Sequence, residues 1–179
     1  MPTRRFRPAA PTGAGPCLDH QRARQRALAL LARRDFTRRQ LHDRLVDDGA
    51  SAEVAETVVE NLTLDGALDD RRVALTLARR SLVVRRRGRL RALRELTGAG
   101  LDAEVARSAI AETLATEDEA ALLEGALDRH ARGPLTDPRH VRRAFTALLR
   151  QGFPANAVRA ALARRAKAPL PVDLPDPDA

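Results

Sequence analysis

A chain of 179 residues in which 44% of side chains are hydrophobic but only 2% aromatic must build any core from Leu, Val and Ala, which favours packed helices and all but excludes an all-β fold. Charged residues make up 31%, and no uncharged stretch approaches the ~20 residues that span a bilayer, so no membrane association is expected. The formal net charge is +8 and all but one of the 32 bases are Arg, a balance that points to a polyanion or an acidic protein surface as partner.

Residues 1–17 are Pro- and Gly-rich, carry three Arg and no acid, and lack the apolar centre of a signal peptide, so a cytoplasmic location and a disordered basic tail are expected. Cys17, the single cysteine, cannot form an internal disulfide and sits where no catalytic geometry could be held. Beyond it the chain repeats. Gly49, Gly100 and Gly152 are each followed by a similar helical segment, beginning Ser51-Ala-Glu-Val-Ala, Asp102-Ala-Glu-Val-Ala and Pro154-Ala-Asn-Ala-Val. Amphipathic stretches precede each glycine, with Leu41, Leu45 and Val46, then Leu93 and Leu96, then Phe145, Leu148 and Leu149. A further helix opens each unit, around Ala27-Leu-Ala-Leu, Ala74-Leu-Thr-Leu and Ala120-Ala-Leu-Leu.

Boundary chemistry agrees with this division. Thr37-Arg-Arg-Gln40 reads as a capping box, Ser51 and Asp102 as N-caps, and Asp137-Pro138 as an N-cap followed by a proline at the first helical position. The three glycines then end the middle helix of each unit. The expected fold is all-α, with three tandem three-helix repeats at residues 18–69, 70–115 and 116–167 forming an elongated, curved array. Residues 168–179, with three Asp and no base, complete it as a disordered acidic tail.

Charge is unevenly spread over these repeats: −2 in the first, +6 in the second and +4 in the third. The sharpest feature is Arg79, Arg80, Arg85, Arg86, Arg87, Arg89, Arg91 and Arg94, eight Arg within sixteen residues containing no acid. A solvated helix face usually gains compensating Glu four residues away, so this run reads as uncompensated and open to phosphate or an acidic groove. Its centre, Ser81 to Gly88, reads as a linker, so that losing its Arg should weaken binding and barely touch stability. A second basic set, Arg139, Arg142, Arg143 and Arg150, falls mostly on one helix face. Conversely, Asp43 to Asp69 holds eight acids and one Arg, and this acidic stretch would meet a basic patch or remain in solvent.

An enzyme would need converging acids, bases or nucleophiles, and the inventory is poor. His20, His42, His130 and His140 are scattered, Asp128, His130, Asp137 and His140 lack metal-ligand spacing, and no phosphate-binding glycine loop occurs. No catalytic residue, cofactor or metal is therefore expected. A helix-turn-helix DNA reader fits no better, because the candidate recognition helices present Glu53, Glu56 and Glu60 in the first unit and Glu104, Arg107 and Glu112 in the second. Only the third, with Arg159, Arg164 and Arg165, would attract DNA.

Several stretches together resemble the RecX family of regulatory proteins. They are Ala27-Leu-Ala-Leu-Leu-Ala-Arg-Arg-Asp-Phe-Thr-Arg-Arg-Gln-Leu41 through Leu45 and Gly49, Gly66-Ala-Leu-Asp-Asp70 with Ala74, and Gly88-Arg-Leu-Arg-Ala-Leu-Arg-Glu-Leu96 leading to Gly100-Leu101. The resemblance covers about residues 22–165; where the family usually carries aromatic residues after Asp70, this chain has Val73 and Leu77. It implies three tandem three-helix repeats and a non-enzymatic, monomeric modulator of the RecA recombinase in recombinational DNA repair and the SOS response. Such a protein binds along the RecA filament on single-stranded DNA and depresses its ATPase and strand exchange. The competing expectation is a basic helical protein whose Arg clusters bind nucleic acid directly, and a weaker one is a scaffold whose acidic first unit engages another protein.

Overall fold

A computed structural model describes residues 18–131 and 135–166, and the tails expected at 1–17 and 168–179, with Cys17, lie outside the described residues. Nine α-helices occur among the described residues: α1 (His20–Leu31), α2 (Arg38–Asp47), α3 (Ala52–Leu64), α4 (Asp70–Arg79), α5 (Arg89–Gly98), α6 (Ala103–Ala115), α7 (Glu119–His130), α8 (Pro138–Arg150) and α9 (Ala155–Arg165). The all-α expectation therefore holds, with three helices in each of three successive repeats. The only extended pairings among the described residues are two isolated bridges, Leu18 with Ala50 and Leu135 with Ala166.

Local sequence sets the helix ends. The Ser51 hydroxyl accepts from Val54 N at 3.2 Å, Asp102 Oδ1 from Glu104 N at 2.7 Å and Asp137 Oδ1 from Arg139 N at 2.9 Å, each satisfying a first-turn donor that has no partner within the helix. Gly49, Gly100 and Gly152 adopt φ of 103°, 89° and 88°, the left-handed conformation that terminates a helix without a Cβ penalty.

The described chain forms two compact units, one of residues 18–35 and 40–68, the other of 36–39 and 69–166. In the first, α1 packs on α3, burying Ala23 and Ala27 with Ala55, Val58, Val59 and Leu62, while Leu41 and Leu45 of α2 are also fully buried. Arg26 pairs with Asp48 at 2.6 Å and Arg24 with Asp65 at 2.8 Å, tying α1 to residues beyond α2 and α3.

The second unit has two cores. One gathers Ala74, Ala78, Leu82, Ala92, Leu96, Leu101, Ala106, Ala109 and Ile110; the other is built on Leu123, Leu127, Val141, Phe145, Leu148, Phe153, Val158 and Leu162. The abundance of Ala lets α4 and α6 approach closely, so that small side chains rather than aromatics fill the middle repeat. The stretch Ser81–Gly88 read from the sequence as a linker is one only from Arg85 onward. Arg80–Val84 continues as a π-helical turn, closed by Arg85 N donating to Arg80 O at 3.0 Å. The wider turn sets both Ser81 and Leu82 inward, Leu82 into the core and the Ser81 hydroxyl onto Glu95 Oε2 at 2.9 Å.

Two glycine turns act as seats within this unit. The Thr37 hydroxyl, fully buried, donates to Ala99 O at 2.8 Å, and the Arg39 side chain lies over Gly100, where an added Cβ would stand 2.8 Å from Arg39 Cβ. The second seat is tighter. Gly88 N donates to Gln151 O at 2.9 Å and Leu90 N to Gly152 O at 3.2 Å, so the start of α5 is capped by the turn after α8. A Cβ on Gly88 would lie 2.3 Å from the Gly152 carbonyl, and one on Gly152 would lie 2.3 Å from Arg91 N. Backbone cannot yield there as a flexible side chain could.

Gly88→Ala is therefore expected to destabilise the protein by about 2–4 kcal/mol, the scale of an overpacked core with a lost backbone bond. Gly98→Ala, inside α5 with nothing within 4 Å of the new Cβ, should instead stabilise by about 0.5–1 kcal/mol. Urea denaturation of the two variants checks the contrast, and a Gly88→Ala protein as stable as the parent would refute the seat.

Candidate partner-binding surface

The eight-Arg run of the middle repeat divides into two populations. Glu95, one residue beyond the run and only 25% exposed, gathers three of them: Arg91 Nε approaches at 3.3 Å, Arg85 at 3.8 Å, and Arg87 makes a direct ion pair. The Arg87 guanidinium is held below its ordinary pKa, first by burial and then by Arg91 and Arg85, as three cations around one carboxylate require. The sequence expectation of no acid at the fourth residue is thus corrected, because Arg91 and Glu95 form such a pair.

The neighbouring residues lock the middle repeat to the third. Arg86 has φ of 51°, unusual for a side chain with a Cβ, and from that position its Nη1 donates to Gly125 O at 2.9 Å. Gly125 lies inside α7, where a Cβ would stand 2.6 Å from Arg86 Nη1. Arg89 binds both oxygens of Glu119, at 3.2 and 3.1 Å, and Arg129 returns a bond to Arg85 O at 3.2 Å. Arg85, Arg86, Arg87, Arg89 and Arg91 are therefore structural in good part. Arg79, Arg80 and Arg94 are exposed and make no ion pair among the described residues, although Arg94 Nε donates to Leu90 O of its own helix at 3.3 Å.

The second basic set has a different character. On α8, Val141, Ala144, Phe145 and Leu148 are buried, and Arg139, Arg142, Arg143 and Arg150 are exposed. At ~100° per residue, Arg139, Arg143, Thr146 and Arg150 fall within about 60° of one another, directly opposite the buried stripe, with Arg142 at their flank. No acid occurs on α8, and Arg139, Arg143 and Arg150 have no ion pair among the described residues. The helix therefore presents an uncompensated cationic stripe about 16 Å long, held rigidly by the core beneath.

The other candidates do not converge. Arg164 pairs with Glu124 at 2.8 Å, Arg165 with Asp128, and Arg159 lies over the Phe145 ring at 5.8 Å, so the α9 arginines that a DNA-reading helix would use serve packing. Asp137 caps α8, His130 meets Gln151 and His42 meets Asp43. No group of three metal-binding side chains gathers among the described residues, and none of their helices is long and apolar enough to cross a membrane. Glu53, Glu56 and Glu60 are exposed on α3 of the first unit. The sequence reading missed Glu95 as a hub and Gly125 as the Arg86 acceptor; the Arg91–Glu95 spacing signalled the first, but nothing local signals a contact 39 residues away.

Known proteins share this organisation. A family profile described as RecX, first three-helix domain, matches residues 23–62. The chain is 37% identical over 144 residues to the regulatory protein RecX of Xanthomonas axonopodis pv. citri, an alignment covering 76% of this chain and 83% of the relative. It is 37% identical over 143 residues to the regulatory protein RecX of Halorhodospira halophila, covering 78% and 86%. The crystal structure of RecX from Lactobacillus salivarius superposes with a TM-score of 0.67 at 18% identity, over 81% of this chain and 95% of that one.

The two Arg populations should separate in a melting experiment. Replacing Arg85, Arg86 and Arg87 together with Ala removes the charge-assisted bond to Gly125 O and two partners of Glu95, and is expected to lower Tm by about 5 °C or more. Replacing Arg139, Arg143 and Arg150 with Gln should move it by no more than about 2 °C. Equal shifts would overturn the division.

Proposed function

The chain belongs to the RecX regulatory protein family, and from that premise we propose that it regulates RecA by binding the RecA filament on single-stranded DNA, with the α8 stripe as the principal contact and Arg79, Arg80 and Arg94 as a second. The observation that carries this reading is the cationic face of α8, which has no acid of its own and no ion pair for Arg139, Arg143 or Arg150 among the described residues. Guanidinium groups held at fixed spacing by a packed helix suit carboxylates of a protein groove or phosphates of the strand within it. Bound there, the protein opposes filament growth and the conformational cycle coupled to ATP hydrolysis, so that ATPase and strand exchange fall. No chemistry by the chain itself is required: it acts as a non-enzymatic cytoplasmic regulator, monomeric, with the repeats at 18–69, 70–115 and 116–167 as its building units.

The α8 stripe equally suits phosphate without RecA, and stoichiometry separates the two readings. Inhibition of DNA-dependent ATP hydrolysis well below one copy per RecA supports filament binding. Inhibition only once the DNA is saturated supports direct competition. Arg139, Arg143 and Arg150 changed together to Gln should raise the concentration for half-inhibition about 10-fold or more, as expected from losing about 0.5–1 kcal/mol at each screened contact. Unchanged inhibition would remove α8 from the interface. Glu53, Glu56 and Glu60 changed to Lys should leave inhibition intact or strengthen it if α3 faces solvent or a polyanion; abolished inhibition would place α3 against basic residues of RecA instead.

A further inference from the structure

The π-helical turn at Arg80–Val84 borders, with α5, a recess of about 270 Å³. We propose that this recess binds one phosphate dianion, free or terminal on a nucleotide, through the guanidinium groups of Arg80 and Arg85. The site shares Arg80 with the filament reading but does not rest on that reading or on α8.

The turn itself brings the two arginines together. Five residues along a regular α-helix leave two side chains about 140° apart, so an unbroken α4 would send Arg80 and Arg85 to different sides. The wider turn, closed by Arg85 N donating to Arg80 O at 3.0 Å, returns residues five apart towards one face, and both side chains line the recess. Leu77 and Leu96 give it an apolar wall, Ser81 and Glu95 a polar one. Beside apolar groups, screening by water is weaker and an ion pair is correspondingly stronger.

The charge balance then selects the ligand. Glu95 is the one acid lining the recess among the described residues, and its oxygens already accept from Ser81 at 2.9 Å and pair with Arg87 and, at 3.3 Å, with Arg91. Arg85 reaches it only at 3.8 Å, and the exposed Arg80 has no ion pair among the described residues. Three guanidinium groups thus share one carboxylate while a fourth opens on the same space. The lowered pKa of Arg87, caused by burial and then by Arg91 and Arg85, is the same cationic excess felt at one group. A phosphate dianion supplies two charges at once, on oxygens spaced for the paired hydrogen bonds of a guanidinium fork. The internal diesters of a strand carry one charge each and continue on both sides, which suits the open face of α8 better than a recess. Bound between the turn and α5, the dianion stabilises the joint that carries both.

The test uses the full chain and inorganic phosphate exchanged for chloride at constant ionic strength, followed by backbone amide NMR. The amides of Ser81, Leu82 and Arg85 should shift saturably, with a Kd of about 1 mM or below. Arg80→Gln, which breaks no ion pair among the described residues, should weaken binding about 10-fold or more, and Arg80→Lys, which keeps the charge but not the fork, should fall between. If adenosine monophosphate shifts the same amides, the recess accepts a nucleotide's terminal phosphate; if inorganic phosphate alone does so, the ligand is the free anion, and either result supports the site. The absence of a saturable shift overturns the proposal, and so does equal affinity in Arg80→Gln, which would mark an adventitious ion only. Displacement of phosphate by a deoxythymidine oligonucleotide with unphosphorylated ends also overturns it, since the recess would then be part of a strand contact. The phosphate titration contains no RecA and leaves α8 unchanged, so its failure and the failure of the filament reading are seen separately.

Discussion

Between Gly88 and the turn at Gly152 there is no room for a methyl group, and this approach of two backbone segments governs how the middle and third repeats meet. Because α5 begins on Gly88, its first free donors reach Gln151 O and Gly152 O instead of water. The bond from Gly88 N in turn fixes where the preceding residues go. Arg87 and Arg85 are delivered to Glu95, and Arg86 is turned through a left-handed conformation towards α7, where Gly125 leaves space for its guanidinium. The strained residue, the π-helical turn and the mid-helix glycine are therefore parts of one joint, each costly alone and each compensated by contacts the others make available.

That joint explains why a basic run can be mostly structural. Several guanidinium groups can crowd together only where acceptors converge, and Glu95, Glu119 and the carbonyl of Gly125 supply them. Arg139, Arg143 and Arg150 of α8 face no such convergence among the described residues. They ride on a helix whose opposite side is anchored by Phe145 and Leu148, so their positions are fixed while their counter-charges remain to be supplied from elsewhere. A regulator that binds through such a face needs this combination: a helix anchored by its core, and charge with no ion pair among the described residues.

Much of the architecture was legible in the sequence because helix ends are local. Ser51, Asp102 and Asp137 cap helices as their spacing predicts, and the glycine period marks three turns with positive φ. The joint was not legible. Ser81 to Val84 reads as part of a linker because the Arg cluster that follows breaks the helical spacing, whereas the π-helical turn there is tied by Ser81 to Glu95, 14 residues on, and the chain after it to the turn at Gly152, 64 residues beyond Gly88. The same limit applies to the proposed binding surface: local spacing put Arg139, Arg143 and Arg150 on one face, but only tertiary contacts separate them from Arg85, Arg87 and Arg91, which the sequence ranks higher. Phe36–Arg39 is a further instance, the start of α2 counting with the second compact unit through Thr37 and Ala99.

The central claim is that the α8 face, and not the Arg85–Arg91 segment, carries the electrostatic part of partner binding. The salt dependence of binding to a RecA filament on single-stranded DNA tests it most directly, since each cation lost from the interface lowers the slope of log K against log salt by somewhat under one unit. Changing Arg139, Arg143 and Arg150 to Gln is predicted to reduce that slope by about two with the fold intact. An unchanged slope in a folded variant would contradict the account.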